Sequence, residues 1–253
     1  MRLIVLLFAG IFALAGSTQE KTDPFAAATF AAPHGTQLPY RLLRPQAAVP
    51  GERYPLVVQL HGSGAIGSDN RAQIGAFSDG WLLAEARKNF AAFVLVPQFA
   101  SRTVDYAGVS DPSRLRSRSL PPLATAFALV EQIATQFPVD RARIYLTGFS
   151  MGASGAMQAV MMRPDLFAAA VAIAPVPPDS TLAPSRPILI LHGDADTENP
   201  FVASRAWFEA MKSRAAALEF RAYPGVKHEI PAEVLTGMWW REWLFSKRLV
   251  PQK

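Results

Sequence analysis

The 253-residue sequence contains no cysteine. This absence excludes disulfide bonds, lipid attachment to an N-terminal cysteine, and every metal site that depends on thiolate ligands. Stability must therefore come from a hydrophobic core, and 50% of the residues are hydrophobic. Histidine is also scarce, with four in the chain, so any chemistry that needs an imidazole has few candidates.

A strong net charge is missing as well. The formal net charge is +5, and basic residues are concentrated in no segment apart from Arg114, Arg116 and Arg118. Proteins that bind nucleic acids usually present a dense basic surface, so the sequence predicts no nucleic-acid partner. The length suits one large α/β domain better than two small ones.

Residues 1–15 have the form of a secretory signal peptide. Arg2 supplies a positive start, and the apolar stretch from Leu3 to Ala15 ends in the small-x-small pattern of a cleavage point. The stretch is shorter than the ~20 residues that a membrane-spanning helix needs. We therefore expect cleavage near Ala15, export to the periplasm or the medium without a remaining membrane anchor, and a single domain over residues 16–253.

Short continuous apolar runs recur along the rest of the chain, as in strands that are buried on both faces of a parallel sheet. The strong runs lie at 56–60, 92–96, 144–146, 169–173 and 188–191, with weaker strands at 38–43 and 218–223. Apolar residues at helical spacing lie at 81–88, 123–137, 153–162, 202–217 and 232–249. This alternation predicts a doubly wound, mostly parallel sheet flanked by helices, with an active site beyond the carboxyl ends of the strands.

Two segments lack a clear pattern. Residues 22–33 are small and weakly patterned, and we expect an extended lead-in there. Residues 99–122 are rich in arginine, serine and proline and show little periodicity, so we expect a long loop near the site. The arginines of that loop either bind an acidic group of a substrate or form a solvated basic surface.

The pentapeptide Gly148-Phe149-Ser150-Met151-Gly152 is the most informative motif of the chain. It fits the Gly-x-Ser-x-Gly nucleophile elbow, in which a sharp turn between a strand and a helix exposes a serine hydroxyl. A predicted strand precedes it and a predicted helix follows it, as the motif requires. An ordinary glycine-rich turn is the alternative, but the flanking elements favour Ser150 as a catalytic nucleophile.

A serine hydroxyl needs a general base to act as a nucleophile at neutral pH. His34 lies in a stretch with proline and glycine that precedes the core strands. His61 and His192 each follow a buried strand and precede a glycine, where bonding to local backbone is the expected role. His228 remains, in a loop after the strand at 218–223 that leaves it free to reach over the sheet edge. We predict that His228 is the base; the alternative is a solvated loop histidine.

The base in turn needs a carboxylate that orients it and stabilises its charged form. Asp194, Asp196 and Glu198 follow the strand at 188–191. Asp196 is favoured because it lies deeper in the loop, whereas Asp194 is expected to shape the turn through backbone contacts. The resulting chain order of serine, aspartate and histidine is the order described for α/β-hydrolases.

The negative oxygen that forms during acyl transfer needs hydrogen-bond donors. The backbone N–H of Met151 follows the nucleophile and begins a helix, so we predict it as the first donor. The second donor is expected in the loop His61-Gly62-Ser63-Gly64. Within that loop the amide of Ser63 is the best candidate, and the amide of Gly64 is the next.

Together these motifs resemble the esterase branch of the α/β-hydrolase superfamily. The chain is similar over roughly residues 40–244 to phospholipase/carboxylesterase proteins, to dienelactone-hydrolase-like proteins and to the secreted predicted-peptidase group related to feruloyl esterases. The matching motifs include Gly67-Ser68-Asp69-Asn70 and His192-Gly193-Asp194-Ala195-Asp196. The resemblance implies the α/β-hydrolase fold and a Ser–Asp–His serine hydrolase without cofactor or metal. It also supports Asp196 over Asp194 as the acid.

We therefore expect an exported serine hydrolase that cleaves carboxylic esters of small molecules through an acyl-enzyme. A peptidase and an acyltransferase use the same machinery and remain alternatives. A non-catalytic binding protein on a hydrolase scaffold is an alternative from another class. Labelling of Ser150 by a fluorophosphonate separates that last alternative from the other three, because only an activated serine reacts.

Overall fold

The computed structural model describes residues 23–32, 35–107, 110–214 and 217–250. The predicted signal peptide and His34 lie outside these residues. Among the helices that the structure describes, none is both long enough and apolar enough to cross a lipid bilayer.

A sheet of eight strands forms the centre of the molecule, and a two-stranded hairpin accompanies it. The ten strands are β1 (Phe25–Ala31), β2 (Gln37–Leu43), β3 (Tyr54–Leu60), β4 (Phe93–Pro97), β5 (Val104–Ala107), β6 (Arg116–Ser119), β7 (Val139–Phe149), β8 (Ala169–Ile173), β9 (Ile188–Gly193) and β10 (Leu218–Tyr223). The order across the sheet is β1-β2-β4-β3-β7-β8-β9-β10. β1 pairs antiparallel with β2, and β2 pairs antiparallel with β4. The other six strands of this sheet run parallel to one another, in the order β4, β3, β7, β8, β9 and β10. The predicted doubly wound, mostly parallel sheet is confirmed.

Helices cover both faces of this sheet. They are α1 (Ala76–Asp79), α2 (Ala84–Asn89), α3 (Pro121–Gln136), α4 (Met151–Met162), α5 (Phe201–Met211), α6 (Ala232–Thr236) and α7 (Trp239–Phe245). Leu129, Met157 and Trp207 from α3, α4 and α5 belong to the core on one face. Trp240 of α7 and Trp81 belong to the core on the other face. The strands are therefore buried on two sides, which explains their continuous apolar sequences.

The predicted single C-terminal helix over residues 232–249 is wrong. α6 ends at Thr236 and α7 begins at Trp239, with Gly237 extended between them at φ −67° and ψ 136°. A Cβ on Gly237 would lie 2.3 Å from the backbone oxygen of Glu233 in α6, so this position has no room for a side chain. Arg241 then enters the core, donates to the Gly237 carbonyl and lies over the ring of Trp240.

The segment over residues 99–122, predicted as a loop, contains the β5–β6 hairpin. Each strand has four residues and carries charged side chains, so no apolar alternation marks it in the sequence. Contacts with distant segments hold it in place. The N–H of Ser117 donates to the Pro177 carbonyl at 2.8 Å, and Gln158 Nε2 donates to the Ser117 carbonyl at 2.7 Å. Likewise the expected lead-in forms β1, which pairs with β2.

Candidate active site

Ser150 stands at the turn between β7 and α4. Its backbone has φ 56° and ψ −121°, a positive φ that non-glycine residues rarely adopt and that marks a strained turn. The N–H of Ser150 donates to the Ile173 carbonyl at 2.9 Å, which ties the turn to β8. Space explains the flanking glycines: a Cβ on Gly148 would lie 2.5 Å from the backbone of Gly152, and one on Gly152 would lie 2.1 Å from the Leu60 oxygen.

Three side chains form a continuous hydrogen-bonded series at the carboxyl edge of the sheet. His228 Nε2 lies 2.8 Å from Ser150 Oγ, and His228 Nδ1 lies 2.7 Å from Asp196 Oδ2. Because Nδ1–H donates to the carboxylate, Nε2 is left as an acceptor for the serine proton. The loops after β7, β9 and β10 carry these residues, and parallel pairing brings those loops to one edge.

Both carboxylate oxygens of Asp196 accept hydrogen bonds. Oδ1 accepts the N–H groups of Glu198 and Asn199 at 2.9 and 3.0 Å. Oδ2 accepts from His228 and lies 3.1 Å from His192 Nε2. Burial alone raises the pKa of the Asp196 carboxyl, but the hydrogen bonds from His192 and His228 outweigh it and hold that pKa well below its usual range. The carboxylate is therefore ionised wherever the imidazole can act as a base.

His192 has a contact that sequence reasoning missed. Bonding to local backbone was expected, and its Nε2 does lie 3.0 Å from the Asn199 carbonyl. The same Nε2 also faces the Asp196 carboxylate, so one N–H serves two acceptors. The ring is fully buried, and its Nδ1 has no hydrogen-bond partner in the described part of the chain. The spacing His-Gly-Asp-Ala-Asp is the signal that points to this contact, because a tight loop returns the fifth residue to the first.

Asp194 bonds the backbone of the loop after β10, which carries His228, and not the His228 side chain. Its Oδ1 accepts the N–H of Gly225 at 2.7 Å. The preceding Gly193 has so little room that a Cβ there would lie 2.1 Å from the Val226 oxygen. These contacts join the loop after β9 to the loop after β10, and they hold the imidazole within reach of the buried carboxylate.

The loop after β3 lies against the turn at Ser150, where a Cβ on Gly62 would be 3.7 Å from Ser150 Cβ. His61 Nε2 accepts the N–H of Phe99 at 3.0 Å, so the proton is on Nδ1, which donates to the Gly62 carbonyl at 2.7 Å. Burial lowers the pKa of His61, which favours this neutral form. Because the carbonyl and the N–H of a trans peptide point in opposite directions, this bond turns the N–H of Ser63 away from His61.

The two amides predicted as oxyanion donors have no protein acceptor among the described residues. Met151 is the first residue of α4, whose N-terminal partial charge is positive. Ser63 begins a short 3-10 turn, Ser63–Ala65, which also contains Gly64. Free amides on two adjacent segments suit an oxygen that becomes negative. Within the described ranges, no cluster of three or more histidine, aspartate or glutamate side chains is arranged to hold a metal ion.

A cavity of about 230 Å³ adjoins the nucleophile turn, and Gly62, Phe149 and Ile230 contribute to its lining. The ring of Phe149 also packs on His228, with 4.9 Å between the ring centroids. The cavity therefore borders both the turn at Ser150 and the loop that carries His228. A larger cleft of about 680 Å³ lies around Leu249, and none of the residues of this site lines it.

The β5–β6 hairpin contacts α4, the helix that follows Ser150. Tyr106 Oη lies 3.3 Å from the hydroxyl of Ser154, on the first turn of α4. Three of the arginines in this segment already have protein partners. Arg118 pairs with Asp179 at 2.7 Å, Arg102 lies over the Tyr106 ring, and Arg116 Nη1 donates to the carbonyls of Ser113 and Leu115 at 3.0 and 2.8 Å. Binding of an acidic substrate group by the hairpin arginines stays a hypothesis.

Comparison with known proteins gives a consistent set of relatives. The model of a family described as "Dienelactone hydrolase family" matches residues 93–233, more than half of the chain. A protein of Oryza sativa subsp. japonica named "probable carboxylesterase" is 25% identical over 207 residues, which cover 76% of this chain and 87% of the rice protein.

Solved structures share the fold. A thermostable esterase superposes with a TM-score of 0.76 at 28% identity, over 89% of this chain and 64% of that one, so the chain spans less than two thirds of that esterase. A serine hydrolase homologue from Coxiella burnetii superposes with a TM-score of 0.60 at 20% identity, over 87% of this chain and 96% of that one.

Proposed function

This chain belongs to the dienelactone hydrolase family, within the esterase branch of the α/β-hydrolase fold, and from that premise we propose that it is a serine hydrolase of carboxylic esters. One observation carries the proposal: the His228 imidazole lies 2.8 Å from the Ser150 hydroxyl and 2.7 Å from the Asp196 carboxylate. A hydroxyl, an imidazole and a buried carboxylate in this series are the groups that acyl transfer requires.

In the acylation half-reaction, Ser150 Oγ attacks the ester carbonyl carbon and its proton passes to His228 Nε2. Asp196 holds the imidazole through Nδ1–H and stabilises its positive form. The carbonyl oxygen becomes negative and accepts hydrogen bonds from the N–H groups of Met151 and Ser63. When the tetrahedral intermediate collapses, the bond to the alcohol oxygen breaks, and the imidazolium gives its proton to the departing alkoxide.

In the deacylation half-reaction, water takes the place of the alcohol. His228 Nε2 removes a proton from the water as its oxygen attacks the acyl carbon, and the same two amides bind the oxyanion again. Collapse of this second intermediate breaks the bond to Ser150 Oγ, and the imidazolium returns its proton to that oxygen. The products are an alcohol, a carboxylic acid and the free enzyme.

The replacement Ser150→Ala tests the proposal. We expect kcat on an activated ester to fall on the order of 10⁴–10⁶-fold, because the nucleophile is lost while the fold is kept. The matched control is Ser213→Ala, an exposed serine in the turn after α5, which keeps the wild-type rate. A fluorophosphonate is expected to label the wild type and the control but not Ser150→Ala. A fall of less than about tenfold, or labelling of Ser150→Ala, contradicts the proposal.

Substrates decide between ester hydrolysis and its alternatives. The protein is expected to cleave simple alkyl and aryl esters with a higher kcat/KM than short peptides. The same machinery attacks amides, so a higher kcat/KM on peptides makes the protein a peptidase. Ester products formed with an added alcohol identify an acyltransferase.

Export is a separate part of the proposal, supported by the positively charged start and the apolar stretch at Leu3 to Ala15. N-terminal sequencing of the protein recovered from the periplasm or the medium is expected to begin close to residue 16. An uncleaved protein that stays in the cytoplasm contradicts export and leaves the esterase proposal untouched.

A further inference from the structure

The chain that follows β8 contains a second strained residue. Ala174 is buried and has a φ of 53°, in the left-handed region that non-glycine residues rarely adopt. Ser150 has a similar φ of 56°. A strained backbone of this kind persists only where the surrounding contacts fix it. The hydrogen bonds of residues 173–176 therefore show what holds this part of the candidate site.

Residues 173–176 hold both peptide groups of Ser150. The N–H of Ser150 donates to the Ile173 carbonyl at 2.9 Å. The Ser150 carbonyl accepts a hydrogen bond from Ser154 Oγ at 3.2 Å, and Ser154 Oγ accepts the N–H of Val176 at 2.9 Å. Ser154 is fully buried, so solvent does not compete for these bonds. The position of Ser150 thus depends on this short segment.

Asn199 bonds the same segment from the loop that carries Asp196. Its Nδ2 donates to the Ala174 carbonyl at 2.7 Å, and both residues are buried. A carbonyl oxygen can only accept a hydrogen bond, so the nitrogen end of the Asn199 amide must face it. Asn199 therefore supplies the donor that the carbonyl of the strained Ala174 requires in a buried position.

The backbone of Asn199 bonds the carboxylate of Asp196 and one of its neighbours. The N–H of Asn199 donates to Asp196 Oδ1 at 3.0 Å. The Asn199 carbonyl lies 3.0 Å from His192 Nε2, which also faces Asp196 Oδ2 at 3.1 Å. One residue thus contacts the carboxylate through its backbone and residues 173–176 through its side chain.

Ser204 bonds the same segment but not the carboxylate. Its Oγ donates to the Pro175 carbonyl at 2.8 Å, and the residue is fully buried. The hydrogen bonds to the Asp196 carboxylate come from other residues. Loss of the Ser204 hydroxyl therefore removes a buried hydrogen bond comparable to that of Asn199 and leaves the partners of the carboxylate in place.

We propose that Asn199 is a positioning residue: its side chain ties the loop of Asp196 to residues 173–176 and so fixes the carboxylate and the His228 imidazole relative to Ser150. The inference rests on the proposed function, which assigns these three side chains to catalysis. Without the Nδ2 bond, the buried Ala174 carbonyl loses its donor, and the loop and the segment are expected to move apart. A displacement of ~1 Å in a reacting group lowers the rate by about 10².

The replacement Asn199→Leu tests the proposal. Leucine has nearly the shape of asparagine and keeps the backbone N–H that bonds Asp196, but it cannot donate to Ala174. We expect kcat on an activated ester to fall about ten- to hundredfold. KM is expected to keep its wild-type value, because an interaction that only aligns the reacting groups does not contribute to substrate binding.

Ser204→Ala is the matched control. Each of the two variants leaves one buried carbonyl without its donor, so both are expected to lower the melting temperature by a few degrees. Only Asn199→Leu is expected to lower kcat. Unchanged kcat in Asn199→Leu, or an equal loss in Ser204→Ala, overturns the proposal.

A second replacement covers the case in which Asn199→Leu does not fold. Asn199→Ala opens space for a water that bonds the Ala174 carbonyl, while the direct bond between the loop and the segment stays broken. The same fall in kcat is expected, and an unchanged kcat overturns the proposal.

An NMR measurement separates failure of this inference from failure of the proposed function. If the wild type hydrolyses no ester, the proposed function fails, and the signal of the His228 Nδ1 proton still tests the role of Asn199. That signal is assigned by its absence from His228→Gln. It is expected to be kept in Ser204→Ala and to shift or disappear in Asn199→Leu. An identical signal in the wild type and in Asn199→Leu overturns the inference.

Discussion

The dipeptide His-Gly directly follows β3 as His61-Gly62 and forms the end of β9 as His192-Gly193. The two dipeptides contribute different groups to the candidate site. At β3, His61 bonds only backbone groups, and the N–H of Ser63 is left without a protein acceptor. At β9, His192 bonds the carboxylate of Asp196, and all the oxygens of that carboxylate have donors. The carboxylate beside the imidazole thus has all its hydrogen bonds within the protein, whereas the amide suited to bind an oxyanion has no protein acceptor.

The glycines of the two dipeptides differ in how much space surrounds them. A Cβ on Gly62 would meet its nearest neighbour at 3.5 Å, an ordinary contact, whereas one on Gly193 would lie 2.1 Å from the Val226 oxygen. The chain around Gly62 is thus packed less tightly than the chain around Gly193. The end of β9 is packed against the loop that carries His228.

Among the variants that test this comparison of the two strand ends, the largest effect is expected from Ser63→Pro, which removes one N–H at the β3 end. Ser63 is the first residue of a 3-10 turn, and Gly62 before it is extended at φ −70° and ψ 168°, so a proline ring fits this position. Loss of one oxyanion donor is expected to lower kcat by ~10²–10³ with an unchanged circular dichroism spectrum. Ser63→Ala keeps the amide and is expected to keep kcat. An active Ser63→Pro variant would transfer the donor role to Gly64.

The next effect separates the two glycines. Gly193→Ala is expected to displace the histidine loop and to lower kcat/KM by about 10², since a shift of ~1 Å in a reacting group has that consequence. Overpacking is also expected to reduce the free energy of unfolding by ~1–3 kcal/mol. Gly62→Ala is expected to unfold at the wild-type temperature. Equal thermal stability of the two variants would contradict the difference in packing.

The smallest effect distinguishes the two histidines. In His192→Leu the Asp196 carboxyl loses one of the hydrogen bonds that lower its pKa, so its negative charge acts more fully on the neighbouring imidazole. The acidic limb of the pH profile of kcat/KM is expected to move to higher pH, with a loss in kcat of about tenfold, part of the ~1.5–3 kcal/mol of a hydrogen bond to a charged group. His192→Gln retains a donor and is expected to restore the limb.

His61→Leu is the comparison for this last test. Its ring contacts neither the carboxylate nor the base among the described residues, so it is expected to lower kcat without moving the acidic limb. A His192→Leu variant that loses activity with an unmoved limb would mean that His192 acts only through folding.

Local sequence patterns were enough to predict many strands of the sheet. β8 and β10 have the predicted bounds, residues 169–173 and 218–223, because a short apolar run or an alternating run between turns has few other ways to be buried. The β5–β6 hairpin was missed because its stability comes from contacts with residues near 177 and 158. The break at Gly237 was missed because Trp239, Trp240 and Trp243 continue a helical apolar pattern across it.

The candidate site likewise has features that the sequence predicted and one that it did not. The Gly-x-Ser-x-Gly motif selected Ser150, and elimination among four histidines and three carboxylates selected His228 and Asp196. The His228 side chain lies within hydrogen-bond distance of both other side chains. The contact of His192 with Asp196 was not predicted, because a fully buried ring beside a loop carbonyl has the same sequence pattern as one that bonds a carboxylate.

The sequence by itself determined the parallel sheet, the serine turn and the short list of ionisable residues, since these depend on residue spacing and on the local sterics of glycine. Only the tertiary structure decided that His192 also meets the Asp196 carboxylate and which amides stay free. Those outcomes depend on distances of about 3 Å between strand ends that are far apart in the chain. Hydrogen bonds of that length are set by how the strands and loops pack, and no local pattern of residues encodes them.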